Sequence, residues 1–116
     1  MNEPLPPLDK RVHHRRTLRV AARVVVAGAT EVEVRTSDIS EGGLGVVAAV
    51  NPSIGARFRV RFGLPSGAPE PILIDAQVTV VRSILARDEG GFKIGLLFAP
   101  LDESSLDAVR KYISRV

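Results

Sequence analysis

Apolar residues in this chain recur mostly at every second position, the period of a half-buried strand, and only the C-terminal tail switches to helical spacing. The stretch TEVEVRTS (30–37) alternates strictly, putting Val32 and Val34 on an inward face against Glu31, Glu33 and Arg35. RFRVRFGL (57–64) repeats the pattern with Phe58, Val60 and Phe62, and FKIGLLF (92–98) with Phe92, Ile94, Leu96 and Phe98. PILIDAQVTVVRSIL (71–85) carries Ile72, Ile74, Ala76, Val78 and Val80 on one face and then slips register near Val81. With the β-branched run 19–26 and GLGVVAAV (43–50), this predicts six strands parted by turns of Gly, Pro, Asn or Asp. Short strands in that number favour a small closed antiparallel barrel, which leaves no sheet edge, over an open sheet. After Pro100, Asp102 is placed to cap a helix in which Leu106, Val109, Ile113 and Val116 share one stripe and Lys111 and Arg115 sit in the last turn.

The opening MNEPLPPLDK, with Pro4, Pro6 and Pro7, cannot build a packed element, so residues 1–10 are expected to be a disordered tail and 11–116 a single domain. It is neither a signal peptide nor part of a membrane helix, which makes a soluble cytoplasmic protein with no membrane span the expectation. Without cysteine there is no disulfide, zinc-thiolate site or thiol nucleophile. The net charge of +3 is unevenly spread: Lys10, Arg11, Arg15, Arg16 and Arg19 outweigh Glu3 and Asp9 in the first nineteen residues, and the remainder is balanced. Thirteen of the 16 basic residues are Arg, whose planar guanidinium suits bidentate contact with phosphates and stacking on bases. A GC-rich genome also raises Arg content, but it does not explain the concentration in the arm.

Catalytic constellations are missing. His13 and His14 are neighbours on an extended arm, so their rings point apart with no third ligand nearby. Asp75, Asp88 and Glu89 are scattered over strand and turn, and GGLG (42–45) has neither the βαβ context of a dinucleotide fingerprint nor the Lys-Ser/Thr ending of a phosphate loop. A binding module without resident cofactor or metal, and not an enzyme, is the expectation.

One turn is too richly equipped for a hairpin. RTSDISEGGLGVV (35–47) sets Asp38, Ser40, Gly42 and Gly43 between two strands. Asp38 is able to receive the paired N1 and N2 donors of guanine, Ser40 offers a hydroxyl, and the glycines permit positive φ and close approach of a ligand. A turn in which Asp38 and Ser40 only bond their own backbone accounts for the same residues. Arg15 and Arg19, four apart and directly before the first strand, add a second motif. Arg-x-x-x-Arg occurs four times in this chain and is uninformative alone, whereas Asp-x-Ser-x-x-Gly is expected only about 0.04 times by chance from the composition.

In this order and about twenty residues apart, the two motifs resemble the signature of the PilZ domain, a family of bacterial receptors for cyclic di-GMP. RFGLP (61–65), KIGLLF (93–98) and the terminal helix fit the same resemblance, which covers roughly residues 11–116. It implies a six-stranded barrel with a C-terminal helix and a flexible basic arm. It further implies that Arg15 and Arg19 grip phosphates and the guanine ring, Asp38 reads the guanine edge, Ser40 bonds the ligand and Gly43 allows its approach. His14, Arg16 and Gly42 stand beside these as secondary candidates. The implied action is ordering of the arm on cyclic di-GMP and engagement of a downstream protein partner. Two other readings are an adaptor of the same fold that binds no nucleotide, and a single-stranded nucleic-acid binder. The latter is disfavoured because Phe58, Phe62, Phe92 and Phe98 all fall on inward faces, leaving no stacking platform.

Overall fold

The computed structural model describes residues 14–25 and 31–115; the expected tail 1–10, His13 and Val116 lie outside the described residues. Among the described residues seven strands are formed: β1 Arg16–Thr17, β2 Ala21–Val25, β3 Glu31–Ile39, β4 Gly43–Ala48, β5 Arg57–Leu64, β6 Ile72–Ala86 and β7 Gly91–Phe98. Among the described residues one α-helix, α1, spans Glu103–Ser114, and a 3-10 turn at Arg87–Glu89 joins β6 to β7. All pairings are antiparallel, and the ring β3-β2-β5-β6-β7-β4 closes through β3–β4, giving the expected six-stranded barrel. The two-residue β1 continues β2 along the same edge of β3. Between them residues 18–20 bulge, and buried Thr36 holds the bulge by accepting from the Val20 N–H at 2.9 Å and donating to the Leu18 carbonyl.

The alternating positions line the barrel as predicted, with Val34, Val60, Phe62, Ile74, Val78, Val80, Ile94 and Leu96 buried together. Five expected strand positions are looser, Phe92 and Phe98 among them, both only partly buried at the two ends of β7. Val32 pairs with buried Val24 yet is 45% exposed, because β4 joins β3 only from Arg35 onward and leaves the other edge of Val32 without a strand. Ile72, 41% exposed, opens β6 well before β7 joins it at Val78, and Phe58 is half-buried. Asp102 caps α1 as expected, accepting from the Ser105 N–H at 2.8 Å. The helix lays Ala108, Val109 and Tyr112 into the core.

Two one-residue bulges decide which side chains the barrel turns outward. In the β3–β4 ladder Thr36 pairs with Val46 and Asp38 with Gly45, so Ser37 is the extra residue. In β6–β7 Val80 pairs with Leu96 and Arg82 with Gly95, so Val81 is extra, at the predicted slip. A one-residue insertion shifts the inward–outward alternation by one step. Ile39 therefore stays in the core while Asp38 faces out, and Val80 stays in the core while Arg82 faces out.

Candidate functional site

The bulges align four outward positions on neighbouring strands. Asp38 pairs with Gly45, Gly45 with Gly95, and Gly95 with Arg82, a cross-strand row of acid, glycine, glycine and base. At about 4.8 Å per strand, the row spans roughly 14 Å, with a flat glycine floor between two charged ends. A side chain at Gly45 would overlap the Asp38 carboxylate and the Ser37 hydroxyl, its Cβ falling 2.5 and 2.7 Å from their oxygens. The Ser37 hydroxyl is itself buried with no hydrogen-bond partner among the described residues. A cleft of about 640 Å³ lies over the row. Val81, Ile84 and Leu97, each about half exposed, give it an apolar wall, and Lys93 adds a second cation beside Arg82.

Arg15, Asp38, Ser40, Gly42 and Gly43 all line this cleft. Arg15 donates to Asp38 Oδ1 at 3.0 Å and more loosely to Ser40 Oγ at 3.4 Å. Ser40 is 1% exposed, and its hydroxyl oxygen accepts the N–H groups of Gly42 (3.2 Å) and Gly43 (3.1 Å). Ser40 thus builds the turn as well as touching Arg15. The positive φ expected of the glycines is corrected: among the described residues the left-handed glycines are Gly55, Gly67 and Gly90, not Gly42 or Gly43. Gly43 is required because a Cβ there would collide with the Leu96 carbonyl oxygen across the β4–β7 ladder.

The remaining candidates fall elsewhere. Arg16 points to the opposite side from Arg15, its guanidinium lying 4.4 Å from the centre of the Tyr112 ring and donating to the Tyr112 carbonyl. His14 borders a separate cleft beside α1, with Glu41 and Arg110. Arg19 is exposed at the bulge, does not line the main cleft and has no hydrogen-bond partner among the described residues. Arg82, Lys93, Gly45 and Gly95 are the additions the structure makes. Among the described residues no three His, Asp or Glu side chains gather where a metal would sit, and no helix is long and apolar enough to cross a membrane.

A family model described as the PilZ domain matches residues 9–115. Among solved structures, the inhibitor of motility MotI/DgrA of Bacillus subtilis superposes with a TM-score of 0.77 at 19% identity, covering 87% of this chain and 48% of that one. The PilZ domain of YcgR from Escherichia coli with c-di-GMP gives 0.63 at 12% identity, over 87% of this chain and 86% of that one. MrkH of K. pneumonia in complex with c-di-GMP gives 0.62 at 17% identity, over 85% and 48%. The chain therefore spans about half the length of MotI/DgrA and of MrkH, and at these identities the likeness is one of fold. No curated protein matches the chain.

Proposed function

This chain belongs to the PilZ domain family, and we propose that it is a receptor for cyclic di-GMP that binds the dinucleotide in the cleft over Gly45 and Gly95. The family is one of binding domains, and this reading assigns the chain no catalysis. The observation that carries the proposal is the row Asp38–Gly45–Gly95–Arg82 with Arg15 seated on Asp38. A purine laid on the glycine floor meets a carboxylate at one end, which accepts the guanine N1 and N2 donors, and a guanidinium at the other. Val81, Ile84 and Leu97 pack against its faces and sugars, the part that aromatic rings play in other nucleotide grooves.

Arg15 has to release Asp38 as the base arrives, and its guanidinium is then free for the phosphates, with Arg19 reaching them from the bulge. The arm before Leu18 holds most of the charge excess that Arg19 completes. A ligand with two phosphates neutralises part of it; Arg16 and Thr17 already pair with β3, so the order gained on binding belongs to the arm ahead of β1, which forms with the 38–43 turn a composite face for a protein partner.

Calorimetric titration with cyclic di-GMP is the test. Charge-assisted bonds contribute about 1.5–3 kcal/mol each, so Arg15→Ala and Arg19→Ala are expected to weaken binding by at least about tenfold. Arg57→Ala and Arg61→Ala, on the far side of the barrel, are expected to change little. Equal losses at both pairs would show that the arginines are wrongly assigned. Asp38→Ala is expected to cost more for cyclic di-GMP than for cyclic di-AMP, since adenine offers a carboxylate no paired N1 and N2 donors.

A further inference from the structure

The two adjacent arginines of the arm face opposite ways: Arg15 turns to the cleft and Arg16 to α1. Arg16 pairs in register with Ile39, which is fully buried, so its stem runs toward the base of the barrel and its charge needs a partner there. That partner is Tyr112, 9% exposed in the last turns of α1. The Arg16 guanidinium stacks on its ring and donates to its carbonyl, a helix-end acceptor that among the described residues is otherwise met only by the Arg115 N–H at 3.3 Å. The Tyr112 hydroxyl in turn donates to the Thr17 carbonyl at 2.7 Å. A single side chain thus fixes both residues of β1, from the side opposite β3. A second, weaker tie runs from Arg110 to Glu41 in the turn, 3.2 Å apart and exposed.

We propose that Tyr112 is a positioning residue for the nucleotide site: it holds β1 so that Arg15 stands over Asp38, and ligand binding is thereby coupled to the docking of α1. This rests on the cyclic di-GMP reading for its ligand but on the Tyr112 contacts for its mechanism. Coupling is reciprocal: whatever α1 docking adds to affinity, the ligand returns as tighter docking of α1. The output face then includes the helix, which leaves Glu103, Asp107, Arg110 and Lys111 exposed for a partner.

Tyr112→Phe is the informative variant, since it keeps the ring, its packing and its stacking with Arg16 and removes only the bond to Thr17. Two readouts separate positioning from bulk stability. Without nucleotide, amide exchange at residues 16–18 is expected to quicken in the variant while that of Val60, Val78 and Leu96 is unchanged. With cyclic di-GMP, affinity is expected to fall about threefold to tenfold, and amides 103–114, expected to gain protection on binding in the parent protein, are expected to gain less in the variant. Arg16→Lys, which keeps the charge and loses the planar stack, is expected to move both readouts in the same direction. Unchanged exchange at 16–18 in both variants would overturn the inference whether or not the nucleotide binds. Failure of the parent protein to bind, with quickened exchange at 16–18, would remove the ligand reading and leave the Tyr112 clamp standing. Equal affinity and equal protection of α1 in parent and variants would overturn the coupling.

Discussion

At the scale of single residues, Ser40 and Asp38 belong to one motif but answer to different demands. Ser40 is buried and satisfies two backbone N–H groups, so Ser40→Ala strands them and is expected to cost about 1–3 kcal/mol of stability. Asp38 faces the cleft and shares an exposed ion pair, so Asp38→Ala is expected to stay within about 0.5 kcal/mol of the parent while losing guanine selectivity. Thermal melts of both variants, set beside their titrations, check the division; a large loss of stability in Asp38→Ala would contradict it. Gly43→Ala is expected to destabilise more than either, because its Cβ meets the Leu96 backbone, which has no rotamer in which to yield. Gly45→Ala is the opposite case: its Cβ meets side-chain oxygens of Asp38 and Ser37, and the expected result is a folded protein with Asp38 displaced and affinity reduced.

At the scale of elements, the strands were legible because the inward faces of β3, β5, β6 and β7 alternate over most of their length, and α1 because Asp102 marks its start. Val32 and Ile72 misled for one reason: alternation reports the side of a strand, not whether a neighbouring strand covers that side. Within the site, Asp38 and Ser40 stood out as a motif local in sequence, and Arg15 through its order and spacing ahead of that motif. Gly45, Gly95 and Arg82 did not, because what unites them is register across four strands, set by extra residues at Ser37 and Val81. The slip at Val81 was visible in the pattern, but its consequence for Arg82 needed the pairing partner. The cap of α1 also carries a pH dependence. Hydrogen bonds from Ser105, chiefly, and Ser104 hold the Asp102 carboxyl below its ordinary value of 3.8. A carboxyl so depressed adds stability above the unfolded value, and that stability is lost as pH falls through the folded one. Amides of the first turn of α1 are therefore expected to exchange faster, relative to their intrinsic rates, as pH drops below 3.8, and Asp102→Asn, which keeps a capping oxygen, is expected to remove that dependence.

At the scale of the whole molecule, the barrel presents two charged faces with different chemistry. On the β2–β5–β6 face three cations are already matched: Arg59 and Arg61 share Asp75 at 2.9 and 3.2 Å, and Arg23 and Arg61 share Glu31 at 3.6 Å. On the β3–β4–β7–β6 face Arg15 is matched only by the carboxylate that a guanine would take, and Arg82 and Lys93 line the cleft beside exposed apolar side chains. Added salt screens phosphate contacts, so cyclic di-GMP affinity is expected to fall with ionic strength, while the melting temperature, to which exposed ion pairs contribute little, is expected to move much less. Whether the row from Asp38 to Arg82 is the nucleotide site is decided by titrating cyclic di-GMP into the ¹⁵N-labelled protein and following the backbone amides. Shifts are expected to concentrate at residues 15–19, 38–45, 81–84 and 93–97 and to leave Arg23, Arg59, Arg61 and Asp75 in place. Shifts centred on that second face would put the site on the wrong side of the barrel, and none at saturating nucleotide would refute the receptor itself.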